Sequence, residues 1–493
     1  MKKNLLIAAA AAISFAACSS SNNEEYTADW SSLSRHEIPQ WLMDAKFGIY
    51  SHWGIESVLE NYRDAEQKPT TMEAFELWTG DKFNAAEWAQ LFKDAGAQFA
   101  GPVAQHCTGC VNWDSDITDW NSTQRGPKVD ILGELAREIR KRDMKLMASF
   151  HGSHATWVWG QRSKSDRTYC QPAMRQDSIV RDDISWMDGI RDRISEASAK
   201  YELDMVWFDV GYGKTIGGDM RGYVKQGKFI PDGDKTPVGG LTEEIKAEIL
   251  ANHYNNGLKS GREVEAVYKS YDIPHNIAMR DIENGNLDGA QYDPWMTDIN
   301  MIMQHPRYWT GWFYNDESPI KDANMLVDML IDVTSKNGRM LLNAPPQADG
   351  SFAERVKKEL LAIGDWLKVN GEGIYGSTPW SFYGEGPTYI KYPGHHGQGK
   401  NRGRDIAKFT SEDLRYTSKG RNIYAFVLAK PADRVSTFAA LGSKYMLYPD
   451  EIKGVELLGS NKSIEWSHTP EGLRVTLPTG TPDSFAYCYK IIR

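Results

Sequence analysis

From Trp41 to about Gly371 short apolar runs alternate with amphipathic segments, and this alternation restricts the fold more than any other feature of the chain. The runs Lys46 to His52, Gln98 to Gln105, Lys145 to Phe150, Met205 to Asp209, Ala266 to Lys269 and Met340 to Asn343 are short and bounded by polar or glycine-containing sequence. Predominantly apolar, they read as buried parallel strands. Between the first two, Trp88, Leu91, Phe92 and Ala95 recur at helical spacing behind Asn84 and Glu87, a pair that resembles a capping box. Ile131, Leu132, Leu135 and Ile139 repeat the pattern, as do Leu326, Met329, Leu330 and Val333 before the stop signal Asn337-Gly338. Ser351 and Glu354 predict a second capping box, opening the last long helix. Alternation sustained over this length predicts an α/β fold, a (β/α)8-like TIM-type barrel over residues 30–371. Fewer than eight strands stand out, so closure is an inference from the repeat. No Gly-x-Gly-x-x-Gly opens the first unit, as a dinucleotide site requires.

After Tyr375 the helical periodicity stops. Tyr389 to Tyr392, Ile423 to Leu428, Gly454 to Leu458 and Leu473 to Leu477 are strand-like and separated by turn residues, which predicts a C-terminal β-sandwich over residues 372–493. The Gly- and Arg/Lys-rich stretch Gly394 to Arg404 reads as solvated loop, because His395 and His396 have no further ligands beside them.

The N-terminus predicts export. Lys2 and Lys3 precede an apolar, small-residue run that is too short to span a bilayer, so residues 1–17 read as a signal peptide. The run ends in Phe15-Ala16-Ala17-Cys18, which resembles a bacterial lipobox, and makes Cys18 the candidate lipidation site. Residues 18–29, opening with Ser19 to Glu25, then form a flexible tether. A lipid-anchored protein in the envelope of a Gram-negative-like bacterium is expected, periplasmic or facing outward. A net charge of −9 without a dense Lys/Arg cluster argues against nucleic acid as a partner. Seventeen tryptophans suit sugar faces and a large core equally.

Barrel enzymes carry their chemistry where strands end. The first four strand candidates end in His52-Trp53, His106-Cys107, His151-Gly152-Ser153-His154 and Asp209, and that coincidence marks one mouth of the barrel as the site. The same segments carry a family resemblance. Lys46-Phe47-Gly48-Ile49-Tyr50-Ser51-His52-Trp53-Gly54 resembles the opening motif of glycoside hydrolase family 29, the α-L-fucosidases. Gly96 to Phe99 leading into His106 and Asn112-Trp113-Asp114-Ser115 resembles its second motif, and Leu203 to Asp209 its nucleophile segment. Ser335-Lys336-Asn337-Gly338, Leu341 to Pro345, Asp349-Gly350 and Asn370 to Gly376 follow in family order.

The resemblance implies an exo-acting retaining glycosidase that removes terminal α-L-fucosyl or closely related L-sugar residues from glycans, with no cofactor and no metal. It makes Asp209 the nucleophile and Glu283, in Arg280-Asp281-Ile282-Glu283-Asn284-Gly285, the acid/base, with Asp281, Asp293 and Asp298 as competitors for the second role. Retaining chemistry needs one ionised and one protonated carboxyl about 5–5.5 Å apart, and unlike surroundings divide those roles. His52, His106 and Trp207 match sugar-gripping positions, and the strand-end residues His151 and Trp53 join them as candidate substrate contacts.

One segment departs from the family. Where it has His-His-Asp-Gly-Phe, this chain has His106-Cys107-Thr108-Gly109-Cys110. Replacing a histidine contact by a thiol costs on the order of 1–3 kcal/mol of sugar binding, which directs attention to L-galactose or a substituted fucose as well as fucose. Cys107 and Cys110 read as unpaired thiols rather than a zinc site, although a metal-dependent hydrolase built on them and His106 is a third reading. The competing class is a carbohydrate-binding lipoprotein that lost turnover; the retention of both Asp209 and Glu283 favours the enzyme.

Overall fold

The computed structural model describes residues 24–62, 65–67, 69, 71–106, 108–151, 184–209, 222–225, 228–231, 241–269, 273–303, 311–388, 408–445 and 451–493. Eight parallel strands close into a barrel: β1 (Phe47–Ser51), β2 (Phe99–Gln105), β3 (Lys145–Phe150), β4 (Met205–Phe208), β5 (Glu265–Tyr268), β6 (Met279–Asp281), β7 (Trp295–Asn300) and β8 (Gly338–Asn343). Each pairs with its sequence neighbours, and β1 closes on β8 with Phe47 opposite Met340 and Tyr50 opposite Asn343. All six strand candidates are present. β6 and β7 were not among them, because β6 is three residues long and β7 carries Thr297, Asp298 and Asn300 in place of a continuous apolar run.

Two apolar shells explain why both strand faces had to be hydrophobic. Tyr50, Phe99, Met147, Met205, Met296 and Leu341 fill the lumen, as side chains do in barrels of this type. The outer strand faces pack on the helices, and Leu135, Ile139, Leu326 and Leu330 are fully buried there. In α1 (Ala85–Asp94) the Asn84 side chain accepts hydrogen bonds from the amides of Ala86 and Glu87, as its sequence signal predicts. The long helix α2 (Glu354–Asn370) corrects the other capping expectation: Ala353 occupies the cap and gives no side-chain bond. Ser351 instead donates to Asp349 Oδ1 at 2.6 Å, so its hydroxyl is committed to the preceding turn.

The C-terminal region forms two antiparallel sheets. Strands β9 (Thr378–Glu385), β10 (Leu414–Lys419), β11 (Asn422–Val427), β12 (Val435–Phe438), β13 (Gly454–Leu457), β14 (Glu465–Thr469), β15 (Gly472–Thr476) and β16 (Tyr487–Ile492) give a five-stranded sheet in the order β9-β10-β11-β16-β13 and a three-stranded sheet in the order β12-β15-β14. Tyr416, Phe438, Leu473 and Tyr489 lie in the core they share. The expected strand Tyr389 to Tyr392 and the loop Gly394 to Arg404 lie outside the described residues. This unit is keyed to the barrel by buried polar contacts. Arg415 donates through Nε to Asp332, which also pairs with Lys336, and the Trp366 indole donates to the Ala486 carbonyl at 3.0 Å. Among the described residues no helix is long and apolar enough to cross a membrane.

Candidate active site

The parallel ladder carries the catalytic candidates just past the strand ends. The His151 amide donates to Gln105 O at 2.8 Å and the Asp209 amide to Phe150 O at 3.2 Å, so both residues are held in sheet register at the C-terminal mouth. Lys269 follows β5 in the same way, Glu283 follows β6 by two residues, and Asp298 lies within β7.

Lys269 organises this mouth. Its ammonium lies 3.0 Å from Asp209 Oδ1, 3.0 Å from Glu283 Oε2 and 3.1 Å from Asp298 Oδ2. An ammonium has three donors, and three different strands supply their acceptors. The aromatic rings of Trp207 and Trp312 flank it at 4.6 and 5.3 Å. Burial works against the charge, but Asp209, Asp298 and Glu283 outweigh it and hold the lysine well above its ordinary range.

The carboxyls around Lys269 differ in access. Asp209 and Glu283 are each 8% exposed, whereas Asp298 is 0% and Asp281 1% exposed. Burial, with Asp298 beside it, pushes Asp281 well above the usual carboxylate range, and burial also raises Asp298. Tyr50 adds a further bond, donating its hydroxyl to Asp298 Oδ2 at 3.0 Å. Asp209 and Glu283 form the reachable pair, with the other two carboxyls as the floor beneath them.

Three imidazoles complete the site. One ring nitrogen from each of His52, His106 and His151 lies within 4.8 Å of the others. The Asn343 amide is oriented by donating to Trp312 O and Asn300 Oδ1, so its Oδ1 must accept from His52 Nδ1–H at 2.9 Å. That bond leaves Nε2 as the acceptor of the His52 ring. His151 Nδ1 meets Asp209 Oδ2 at 3.1 Å and its Nε2 lies 3.2 Å from Ser149 Oγ. Burial drives His52 well below its usual value; it drives His151 down to about 4, with the adjacent Asp209 opposing the shift and His106 adding to it. Both rings are neutral at neutral pH and able to exchange hydrogen bonds with hydroxyls. His106 Nδ1 faces Glu56 Oε1 at 3.4 Å. The trio is the one group among the described residues with a spacing that could hold a metal ion, and neutral imidazoles are also good partners for a sugar.

A family model described as alpha-L-fucosidase matches residues 13–372, well over half of the chain. The chain belongs to the α-L-fucosidase family. A model of the alpha-L-fucosidase C-terminal domain matches residues 407–491. The chain is 26% identical to tissue alpha-L-fucosidase of Rattus norvegicus, covering 93% of this chain and 90% of the relative. It is 24% identical to plasma alpha-L-fucosidase of Homo sapiens, covering 91% and 88% respectively. The crystal structure of Thermotoga maritima alpha-fucosidase in complex with fucose shares the fold at a TM-score of 0.68 and 22% identity, over 95% of this chain and 100% of that one. A GH29 alpha-L-fucosidase from Bacteroides thetaiotaomicron does so at 0.64 and 16% identity, over 95% of this chain and 96% of that one. This family member is a glycoside hydrolase with the barrel and second β-domain expected from its sequence.

Among the residues singled out from the sequence of this α-L-fucosidase family member, Asp209, Glu283, His52, His106, His151 and Trp207 converge on one mouth. Trp53 does not join them. It is 2% exposed, stacks on Phe83 and packs edge-on against Trp78 and Trp88, with its indole donating to Ala348 O; it belongs to the core outside the barrel. Trp207 is in place, but one face of its indole is taken by Lys269. Asp293 pairs with His275 where both are exposed, which removes it as a competitor for the acid role. Thr108 donates its hydroxyl to Glu56 Oε1 at 2.7 Å, the oxygen that also faces His106 Nδ1. Burial alone would raise Glu56, but His106 and Thr108 together hold it below its usual range. Cys110 is buried with its thiol toward Val111 O, so it is not part of a metal centre with His106; Cys107 lies outside the described residues. Sequence reasoning missed Lys269, Asn343, Glu56, Trp312 and Phe313. Lys269 and Asn343 end strand candidates and the strand-end rule would have found them, whereas the other three carry no local signal.

Proposed function

We propose that this enzyme hydrolyses terminal α-L-fucosyl residues, or those of a closely related L-sugar, with retention of configuration, using Asp209 as nucleophile and Glu283 as acid/base. The observation that carries the assignment is the shared contact to Lys269. Two carboxylate oxygens each 3.0 Å from one Nζ lie no farther apart than twice that distance, which accommodates the separation of about 5–5.5 Å used by retaining enzymes. Asp209 accepts from His151 and Lys269 on its two oxygens, and hydrogen bonding to the charged form keeps a nucleophile ionised. Glu283 is the other reachable carboxyl on the same mouth.

The imidazole trio supports a sugar with several adjacent hydroxyls, and Phe313, whose ring stands edge-on to His52 and His106 at 5.5 and 5.2 Å, offers an apolar wall suited to the methyl group of a 6-deoxy sugar. His151 supplies a third imidazole 4.5 Å from His106. The deciding experiment follows hydrolysis of 4-nitrophenyl α-L-fucoside and α-L-galactoside by proton NMR. The α anomer of the free sugar is expected first. Initial release of the β anomer overturns the retaining assignment, and glycan binding without cleavage of either glycoside supports the binding-protein alternative. Anchoring through Cys18 is proposed on the lipobox-like sequence alone, since that residue lies outside the described residues. Cys18→Ala is expected to move the protein from the membrane to the soluble fraction, and unchanged fractionation would rule the anchor out.

A further inference from the structure

Four buried carboxyls surround one buried ammonium at the barrel mouth. Asp209 reaches Lys269 from the end of β4, Glu283 from the loop after β6 and Asp298 from β7, while Asp281 of β6 acts on it through the field. His151 at the end of β3 holds the far oxygen of Asp209, and Tyr50 of β1 holds Asp298. Trp207 and Trp312 wall the ammonium on its remaining sides. A lysine that served only to neutralise the floor would need Asp298 alone. This one instead contacts both reactive carboxyls.

We infer that Lys269 is a positioning residue that serves as the shared counter-ion of Asp209 and Glu283, keeping one positive charge against whichever of them is ionised at each stage of the reaction. The inference rests on the assignment of those two residues made above. In the first step an Asp209 oxygen bonds to the anomeric carbon, the glycosidic C–O bond breaks with its electron pair going to the leaving oxygen, and that oxygen takes the proton of Glu283. Asp209 is then a neutral ester and Glu283 a carboxylate. In the second step a water oxygen bonds to the anomeric carbon, the ester C–O electron pair returns to Asp209, and the water proton goes to Glu283. Negative charge thus passes from one carboxyl to the other and back, always within one hydrogen bond of Lys269. Without the ammonium each step would create a carboxylate beside Asp298 in a buried site, where an uncompensated charge is strongly disfavoured.

The test is the pH profile of kcat/KM for methyl α-L-fucoside, whose alcohol leaving group must receive a proton from the acid, so that the two limbs report the essential base and acid of the free enzyme. An adjacent cation lowers a carboxyl pKa by about 1–3 units. In Lys269→Met both limbs are therefore expected to move to higher pH by at least about one unit, and in Lys269→Arg, which keeps the charge, to stay near their wild-type positions. If loss of the ammonium unfolds the single variant, Lys269→Met/Asp298→Asn compared with Asp298→Asn removes one charge of each sign and must show the same displacement. A profile that keeps its position while kcat falls, in whichever neutral variant folds, means that Lys269 is only structural and overturns the inference. Wild-type hydrolysis with retention that disappears in Asp209→Gly leaves the assignment of the reaction intact in that case. Failure of the wild type to show it overturns both.

Discussion

Replacing Asp209 with glycine is expected to lower turnover of 4-nitrophenyl α-L-fucoside by about 10⁴-fold or more, the scale seen when a residue forming the covalent bond is removed. That corresponds to about 5.5 kcal/mol of lost transition-state stabilisation. The loss should fall on kcat. The proposed sugar contacts are His52, His106 and the aromatic wall, and His52 is fixed by Asn343 rather than by Asp209. Removing one carboxylate also leaves Lys269 with Glu283 and Asp298 as partners, so the ammonium is not stranded. Glycine leaves a carboxylate-sized space beside two donors, His151 Nδ1–H and Lys269, which suits a small anion such as azide. Azide entering there attacks the face of the sugar that Asp209 would have attacked, and the product expected from an α-L-fucoside is the β-L-fucosyl azide. Retention of a tenth or more of wild-type kcat by this variant would remove Asp209 from the nucleophile role.

The parts of the molecule legible in the sequence are those where burial dictates composition. Strands buried on both faces had to be apolar, and so six of them stood out. The two that did not, β6 and β7, are the strands that turn polar residues inward: Asp281 in one and Asp298 and Asn300 in the other. The chemistry of the site thus erased the pattern by which its own scaffold is recognised. The site itself was half legible. His52, His106, His151 and Asp209 end apolar strands and are visible by position. Trp53 follows the same rule and breaks it, because the residue after a strand-end histidine turns to the other side of the sheet, into the Phe83, Trp78 and Trp88 cluster. Lys269 is marked by the same strand-end position, but its role is not, since its three carboxylate partners come from residues 209, 283 and 298. Only folding brings them together. Ser351 failed as a helix cap for a local reason, since Asp349 two residues earlier competes for the same hydroxyl.

Replacing Glu283 with alanine is expected to separate substrates by their leaving groups, an effect that loss of the nucleophile cannot produce. General acid catalysis contributes about 10²–10⁴-fold, and the contribution matters most when the leaving oxygen is strongly basic. A natural glycan leaves as an alkoxide and must receive a proton, so its cleavage should fall by about that factor. 4-Nitrophenolate needs little help to depart, and formation of the glycosyl-enzyme from its fucoside should be nearly preserved. The second step then becomes limiting, because no base remains to activate water, and the intermediate on Asp209 accumulates. Alanine leaves Lys269 with one anionic partner fewer, which favours an anion in the space that Glu283 occupied. Azide needs no base and should restore turnover, attacking the β-linked intermediate from the opposite face to give the α-L-fucosyl azide. The two carboxyl variants are therefore expected to yield opposite anomers from one substrate and one anion. That contrast assigns each role without relying on the size of a rate loss, which a damaged pocket could imitate. Equal losses for both leaving groups, with no azide product, would move the acid/base role to Asp298 or Asp281, the buried carboxyls beneath Lys269.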